Sequence, residues 1–296
     1  MTLSIQLIVF QFLLPSAFMI SLGRGKFESK LEWIVQGLFT TLFISWIFFS
    51  SPWDWFSYYL RFAWLLVWIA LLVYTWRNVK SLPFRSTYTR NQKWSLAIYT
   101  ALLLIFGMYN VWIFSGYSAD EEAVELAFPM KDGMYYVGQG GNHTQINYHN
   151  THPAQKYAVD LVELNTIGAR ASGIYPKNLD AYHIYGESLY SPCTGKVGAS
   201  RNNLSDLTPP ETNAGQPKGM QIDCESQDVQ VLVAHMQEES VAVEEGDSVQ
   251  QGDPIGVVGN SGNTTEPHLH IHAVRDGEGV PMQFNGRFLV RNDVVW

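Results

Sequence analysis

Four apolar stretches near the start of the chain, approximately Leu3 to Leu22, Trp33 to Ser50, Phe56 to Trp76 and Trp94 to Phe114, limit what it can fold into. Each is close to the roughly 20 helical residues that cross about 30 Å of hydrocarbon. Trp33, Trp53, Trp55, Trp76, Trp94 and Trp112 lie at or near their ends, where amphipathic rings favour the headgroup layer. The spacing therefore predicts an all-α transmembrane region over residues 1–114. The first stretch has no basic residue ahead of it and no clear small-residue cleavage site, so it reads as a retained helix, not a cleaved leader.

Charge divides the chain at the same place. Residues 1–114 hold three acids (Glu28, Glu32, Asp54) and nine bases, and residues 115–296 hold the other 24 acids and ten bases. An acidic second part without clustered Lys and Arg argues against a nucleic-acid partner, because binding a polyanion depends on counterion displacement by clustered cations. Short basic loops belong in the cytoplasm. Arg24, Lys26 and Lys30 mark one such loop; Arg77, Lys80, Arg85, Arg90 and Lys93 mark another. Arg61, near the start of the third stretch, can extend its head outward. With four spans, both termini and the acidic part are expected outside the cytoplasm, in a multi-pass protein of the cell membrane. No acid or base falls in the middle of a span, which leaves little support for an ion pathway.

After an acidic connector over residues 115–130, the sequence breaks into short β-branched and aromatic runs punctuated by Gly, Asn and Pro. Met134 to Val137, Tyr157 to Val162, Val229 to Ala234, Ile255 to Val258 and Leu269 to Val274 are expected strands. Residues 131–296 thus read as an all-β domain. Asn165 to Tyr190 and Arg201 to Lys218, the latter with Pro209, Pro210 and Pro217, read as long surface loops of the kind that rim a groove. Cys193 and Cys224 can form a disulfide in an oxidising compartment.

All eight histidines fall between His143 and His272. His268, His270 and His272 alternate, and a strand of period two projects all three from one face. A zinc hydrolase needs about three protein ligands and an open position for water. Asp160, within Tyr-Ala-Val-Asp-Leu-Val, is the best carboxylate, because an unpaired charge in an apolar run is costly; a salt bridge to Lys156 is its plain alternative. His235, within Leu-Val-Ala-His-Met, is similarly embedded, its plain alternative being a buried core histidine. No His-Glu-x-x-His, Walker or Gly-x-Ser-x-Gly pattern is present.

Leu232 to Met236, Val241 to Gly246, Val249 to Gly256, Gly259 to Gly262 and Glu266 to His270 resemble the C-terminal signature of lysostaphin/LytM-type peptidases. There, a histidine-bearing strand precedes a Gly-punctuated hairpin and a His-x-His strand. The resemblance implies an antiparallel sheet of the duplicated-hybrid-motif type with an open groove. It also implies one Zn2+ per domain, His270 and Asp160 as ligands, and His235 and His268 as catalytic residues. The family usually places its first ligand four residues before the Asp, where this chain has Lys156. His149, which follows an expected strand containing Ile146 and Tyr148, is the first candidate to replace it; His152, before Pro153 in an expected turn, is the next and His143 the third. His272 reads as a residue supporting the ligands, or as an alternative ligand.

The expected function is hydrolysis of peptide cross-links or bridges in bacterial peptidoglycan by a membrane-anchored zinc metalloendopeptidase. The competing expectation is an inactive domain of the same fold that binds peptidoglycan or regulates a partner hydrolase. Expected partners are peptidoglycan or a peptide substrate and membrane lipid around the four helices; a further membrane protein is left open.

Overall fold

The computed structural model describes residues 3–212 and 219–296; Pro217 and Lys218 of the expected second long loop lie outside them. The chain forms two compact units, one of residues 1–52 and 59–114, the other of residues 53–58 and 115–296.

In the first unit, α1 (Leu3–Ile8), a π-helical turn (Val9–Leu13) and α2 (Leu14–Arg24) run in succession. They are followed by α3 (Lys30–Ser50), α4 (Leu60–Val79) and α5 (Arg90–Ser115). Among the described residues, four helical runs are long and apolar enough to cross a membrane, namely Ser4–Arg24, Lys30–Ser50, Leu60–Val79 and Arg90–Ser115. Each expected stretch falls within one of these runs or overlaps it. The third begins four residues late, because residues 56–59 belong to a turn. A reciprocal capping box of Ser29 and Glu32 starts α3, satisfying backbone donors that a helix N-terminus leaves open. Aromatic packing joins the helices, with Phe18 edge-on to Phe39 and Phe43 at 4.8 and 4.9 Å between ring centroids. Polar bonds also join the helices: Asn110 donates to the Leu42 carbonyl at 2.9 Å, and Trp33 to Thr75 at 3.0 Å. Arg61 does not reach outward: it is buried, with its guanidinium carbon 4.1 Å from the Phe48 ring centroid.

The second unit is β-rich, with β1 (Val124–Leu126), β2 (Tyr135–Gln139), β3 (Val159–Glu163), β4 (Ser188–Tyr190) and β5 (Gly195–Ser200). There follow β6 (Gly219–Cys224), β7 (Val229–Ala234), β8 (Ser248–Val249), β9 (Pro254–Val257) and β10 (Leu269–Arg275). The last are β11 (Glu278–Val280), β12 (Met282–Phe284), β13 (Arg287–Phe288) and β14 (Val294–Val295). The main sheet runs β14-β2-β3-β10-β7-β6-β5-β8, with β11 also against β10, and its pairings are antiparallel. The connector region contributes β1, which pairs in parallel with β12.

Alternation separates core from site. Leu269, Ile271 and Ala273 of β10, Val159 and Leu161 of β3, and Val229, Val231 and Val233 of β7 enter one apolar cluster. The intervening residues, among them Asp160, His270 and His272, therefore occupy the opposite face of the sheet. The expected strand through Ile146 and Tyr148 is instead a 3-10 turn, Tyr148–Thr151. Its cause is local: the Asn147 side chain accepts the His149 N–H at 3.1 Å, a bond that competes with extended pairing.

Cys193 and Cys224 are joined as a disulfide across 31 residues, with Cα atoms 5.8 Å apart. A loop of that size restricts the unfolded chain. The double substitution Cys193→Ala/Cys224→Ala is expected to cost about 3 to 4 kcal/mol of unfolding free energy, measurable by urea titration of the β unit's near-UV signal.

Candidate metal centre

Three neighbouring strands set up the site. His270 of β10 lies in register with Asp160 of β3 on one side and Ala234 of β7 on the other, and cross-strand partners bring side chains to within about 5 Å. His149 arrives from the 3-10 turn. That turn is fastened by the fully buried Asn147, whose amide donates to the carbonyls of Gly141 at 2.9 Å and Ala158 at 3.1 Å.

Asp160 is the centre of the arrangement. It accepts from His149 Nε2 at 2.9 Å and from His270 Nδ1 at 2.8 Å. Burial would raise its carboxyl, but the imidazoles of His149 and His268 hold it well below the usual carboxylate range. Burial pulls His149 down, yet the neighbouring Asp160 carboxylate outweighs it and raises the imidazole above its ordinary value. His270 is lowered by burial, and its Nε2 accepts from His272 Nδ1 at 2.9 Å. His272 is pushed down to about 3 by burial and by His270, so it stays neutral near pH 7.

Two more imidazoles complete the group. His235 stands just past the end of β7 in a left-handed backbone conformation (φ 61°), which few non-glycine residues adopt. Its Nδ1–H donates to the Ser261 carbonyl at 2.9 Å, and burial lowers it well below its ordinary value. His268 likewise donates from Nδ1 to the Glu266 carbonyl at 2.8 Å. In the neutral tautomer that these bonds select, Nε2 is the acceptor nitrogen of each ring; the two ring centroids lie 4.7 Å apart. His268 Nε2 is buried without a hydrogen-bond partner and lies 3.7 Å from Asp160 Oδ1.

The donor set fits a divalent cation. His149, Asp160 and His270 each offer a ligand atom within 4.8 Å of the others, and so do His235, His268 and His270. Two imidazoles and a carboxylate are the ligand types of a catalytic zinc site. His272, bonded to the far nitrogen of His270, occupies the place of an orienting partner.

The structure does not bring every candidate here. His152 is exposed and bonds Thr151 at 3.1 Å. Neither it nor His143 joins a metal-competent group among the described residues. Lys156 pairs with Asp120 at 3.1 Å and not with Asp160. Sequence reasoning missed Tyr148, whose ring packs against His149 at 4.0 Å between centroids. It also missed Arg170, which bonds both Asp54 and Glu266. The local signal for the latter was a lone acid between two tryptophans, Trp53-Asp54-Trp55.

Protons compete with metal for these ligands. Because His149 is raised above its ordinary value, its protonated form persists to higher pH and must lose that proton on metal uptake. Apparent zinc affinity is therefore expected to weaken as pH falls from about 8 to 6, by up to about tenfold per pH unit. Competition against a chromophoric chelator measures it; affinity that rises as pH falls contradicts the assignment.

Residues 177–282 match the model of peptidase family M23, so the chain carries a peptidase family M23 domain. The match includes His235, His268, His270 and His272, while His149 and Asp160 precede it. A zinc-containing peptidase from Vibrio cholerae is 22% identical with TM-score 0.33, over 54% of this chain and 39% of that one. A putative peptidase M23 from Pseudomonas aeruginosa is 21% identical with TM-score 0.26, over 33% and 38%. The antimicrobial peptidase lysostaphin from Staphylococcus simulans is 20% identical with TM-score 0.26, over 46% and 41%. The chain thus spans about two fifths of the length of each of these structures. No curated protein sequence matches it.

Proposed function

We propose that this chain is a membrane-anchored metalloendopeptidase that holds one zinc ion on His149, Asp160 and His270 and cleaves peptide cross-links or bridges of bacterial peptidoglycan. The observation that carries the reading is the convergence of those three ligands with two further imidazoles whose Nδ1 atoms are tied to backbone carbonyls. When bound, the metal would act as a Lewis acid toward a scissile carbonyl and make water a nucleophile near neutral pH.

The chain's own residues supply the proton chemistry. The carbonyls of Ser261 and Glu266 fix the tautomers of His235 and His268, so each Nε2 can accept a proton from attacking water. Once protonated, either ring can donate to the tetrahedral oxyanion or to the departing amine. Asp160, held ionised, lies beside them with its Oδ1 3.7 Å from His268 Nε2.

Location follows from chain order and charge. The grouping of residues 53–58 and 115–296 in one compact unit supports both segments lying on the same side of the membrane. The basic loops at Arg24 to Lys30 and Arg77 to Lys93 favour the cytoplasm, which supports an extracytoplasmic β unit, and the disulfide supports the same side, because such bonds persist in oxidising compartments.

The test is release of new amino termini from purified peptidoglycan by the full chain in detergent, with zinc near one per chain. His268→Ala and His235→Ala should each lower kcat by about 10²- to 10⁴-fold while zinc content stays unchanged. Zinc-independent binding of peptidoglycan with no new amino termini would instead mark a binding or regulatory domain.

A further inference from the structure

A buried charge network behind the metal centre has no part in the chemistry above. Arg170, 7% exposed, donates from Nε to the carboxylate of Asp54, which is 0% exposed, and from Nη1 to Glu266 Oε1 at 3.2 Å. Its backbone N–H also donates to the Asp54 carbonyl at 2.8 Å. Asp54 belongs to a short 3-10 turn, Trp53–Trp55, in the connection between α3 and α4. That turn forms part of the β unit. Trp55 stacks on Tyr175 at 3.8 Å, and the Arg170 guanidinium carbon sits 4.6 Å from the Trp55 ring centroid. Tyr58 N–H donates to the Gly168 carbonyl, and Ser57 Oγ to that of Ile167, each at 2.7 Å.

The other end of the network reaches the reacting groups. Glu266, held by Arg170, offers its carbonyl to His268 Nδ1 at 2.8 Å and to Thr264 Oγ1 at 2.7 Å. Because His268 Nε2 has no hydrogen-bond partner, the bonds at Nδ1, to Glu266 and more weakly to Thr264 at 3.3 Å, decide the ring's orientation. Arg170 also leaves no room beside β2: a Cβ at Gly138 would meet Arg170 Nη2 at 3.2 Å and the Asp160 carbonyl at 3.6 Å. Burying a cation between two carboxylates is expensive unless its geometry is held on every side. An apolar contact would have sufficed to tether the turn.

We propose that the connection between α3 and α4 is a working part of the active site, in which Asp54 fixes Arg170, and Arg170 fixes Glu266 and so the imidazole of His268. Arg170 and Asp54 are positioning residues in this arrangement. The inference rests on the catalytic role proposed for His268. It makes the peptidase unit discontinuous in sequence, completed by a segment lying between two of the membrane-spanning candidates.

The test uses the full chain in detergent. Asp54→Asn is expected to lower kcat about 10- to 100-fold, as loss of an orienting partner does. KM should stay within about twofold, zinc content should be unchanged, and Asp54→Glu should recover part of the loss. A second readout needs no turnover: the rate at which diethyl pyrocarbonate modifies His268 in the zinc-free chain, followed by mass spectrometry, should rise several-fold in Asp54→Asn. Should wild type cleave nothing, the proposed function fails, and the His268 modification rate still decides this inference. An unchanged kcat and modification rate in folded Asp54→Asn overturn it, as does a loss of zinc in step with activity. If Asp54→Asn does not fold, Asp54→Leu/Arg170→Met removes both charges together. That double variant is expected to fold with the same loss of kcat, and full activity in it overturns the proposal.

Discussion

Asp160→Asn is expected to take zinc content from near one per chain to near zero and to lower peptidoglycan cleavage by at least about 10³-fold. The carboxylate is the only charged ligand in the His149, Asp160 and His270 group, and it bonds two imidazoles at once. A catalytic cation stabilises the transition state by several kcal/mol, and each 1.4 kcal/mol is a factor of ten in rate. The fold should persist, because Asp160 stands on the face away from the apolar cluster built by Val159, Leu161 and Ile271. Metal analysis, near-UV circular dichroism and amino-terminus release on one preparation separate these effects. The same measurements decide between the upstream histidines: His149→Ala should lose zinc and His152→Ala should keep it. Zinc-loaded, fully active Asp160→Asn would end the metal-centre reading.

A fragment of residues 115–296 is expected to be less stable than the same strands within the whole chain, by roughly 3 to 5 kcal/mol. Cutting the chain there removes the buried Trp53, Asp54 and Trp55 and deprives Arg170 of one of its two carboxylate partners. Removing one partner of a buried pair costs several kcal/mol, and removing a buried Trp costs a similar amount. The two losses overlap in space and do not add. Amide hydrogen exchange of β7 (Val229–Ala234), recorded on the fragment and on the intact chain, gives both opening free energies directly. Equal protection would show that the turn at residues 53–58 contributes nothing to the β unit.

Local patterns made much of this architecture legible. The helical stretches announce themselves by length, since nothing shorter than about 20 apolar residues crosses hydrocarbon, and their observed bounds differ by a few residues where Ser29 caps α3 or residues 56–59 turn. The bounds of β7 coincide with the expected run Val229 to Ala234. The His-x-His-x-His alternation predicts a shared face, and the structure has His270 and His272 bonded on it. Where the expectation failed, at Ile146 to Tyr148, a side-chain-to-backbone bond from Asn147 won over strand pairing. The choice among His149, His152 and His143 was open in the sequence for the same reason: only two residues of a 3-10 turn, Asn150 and Thr151, separate a buried ring bonded to Asp160 from an exposed one.

By itself, the sequence determined the apolar lengths of the helices, the division of charge, and the alternation that puts Asp160, His270 and His272 on the face opposite the core. Each of those is a property of neighbours along the chain. Only the tertiary structure decided which histidine approaches Asp160 and that Arg170 joins Asp54, 116 residues away, to Glu266, 96 residues away. Partners so distant leave no periodic trace, because folding, and not local propensity, brings their charges together, and burial is what makes their pairing matter.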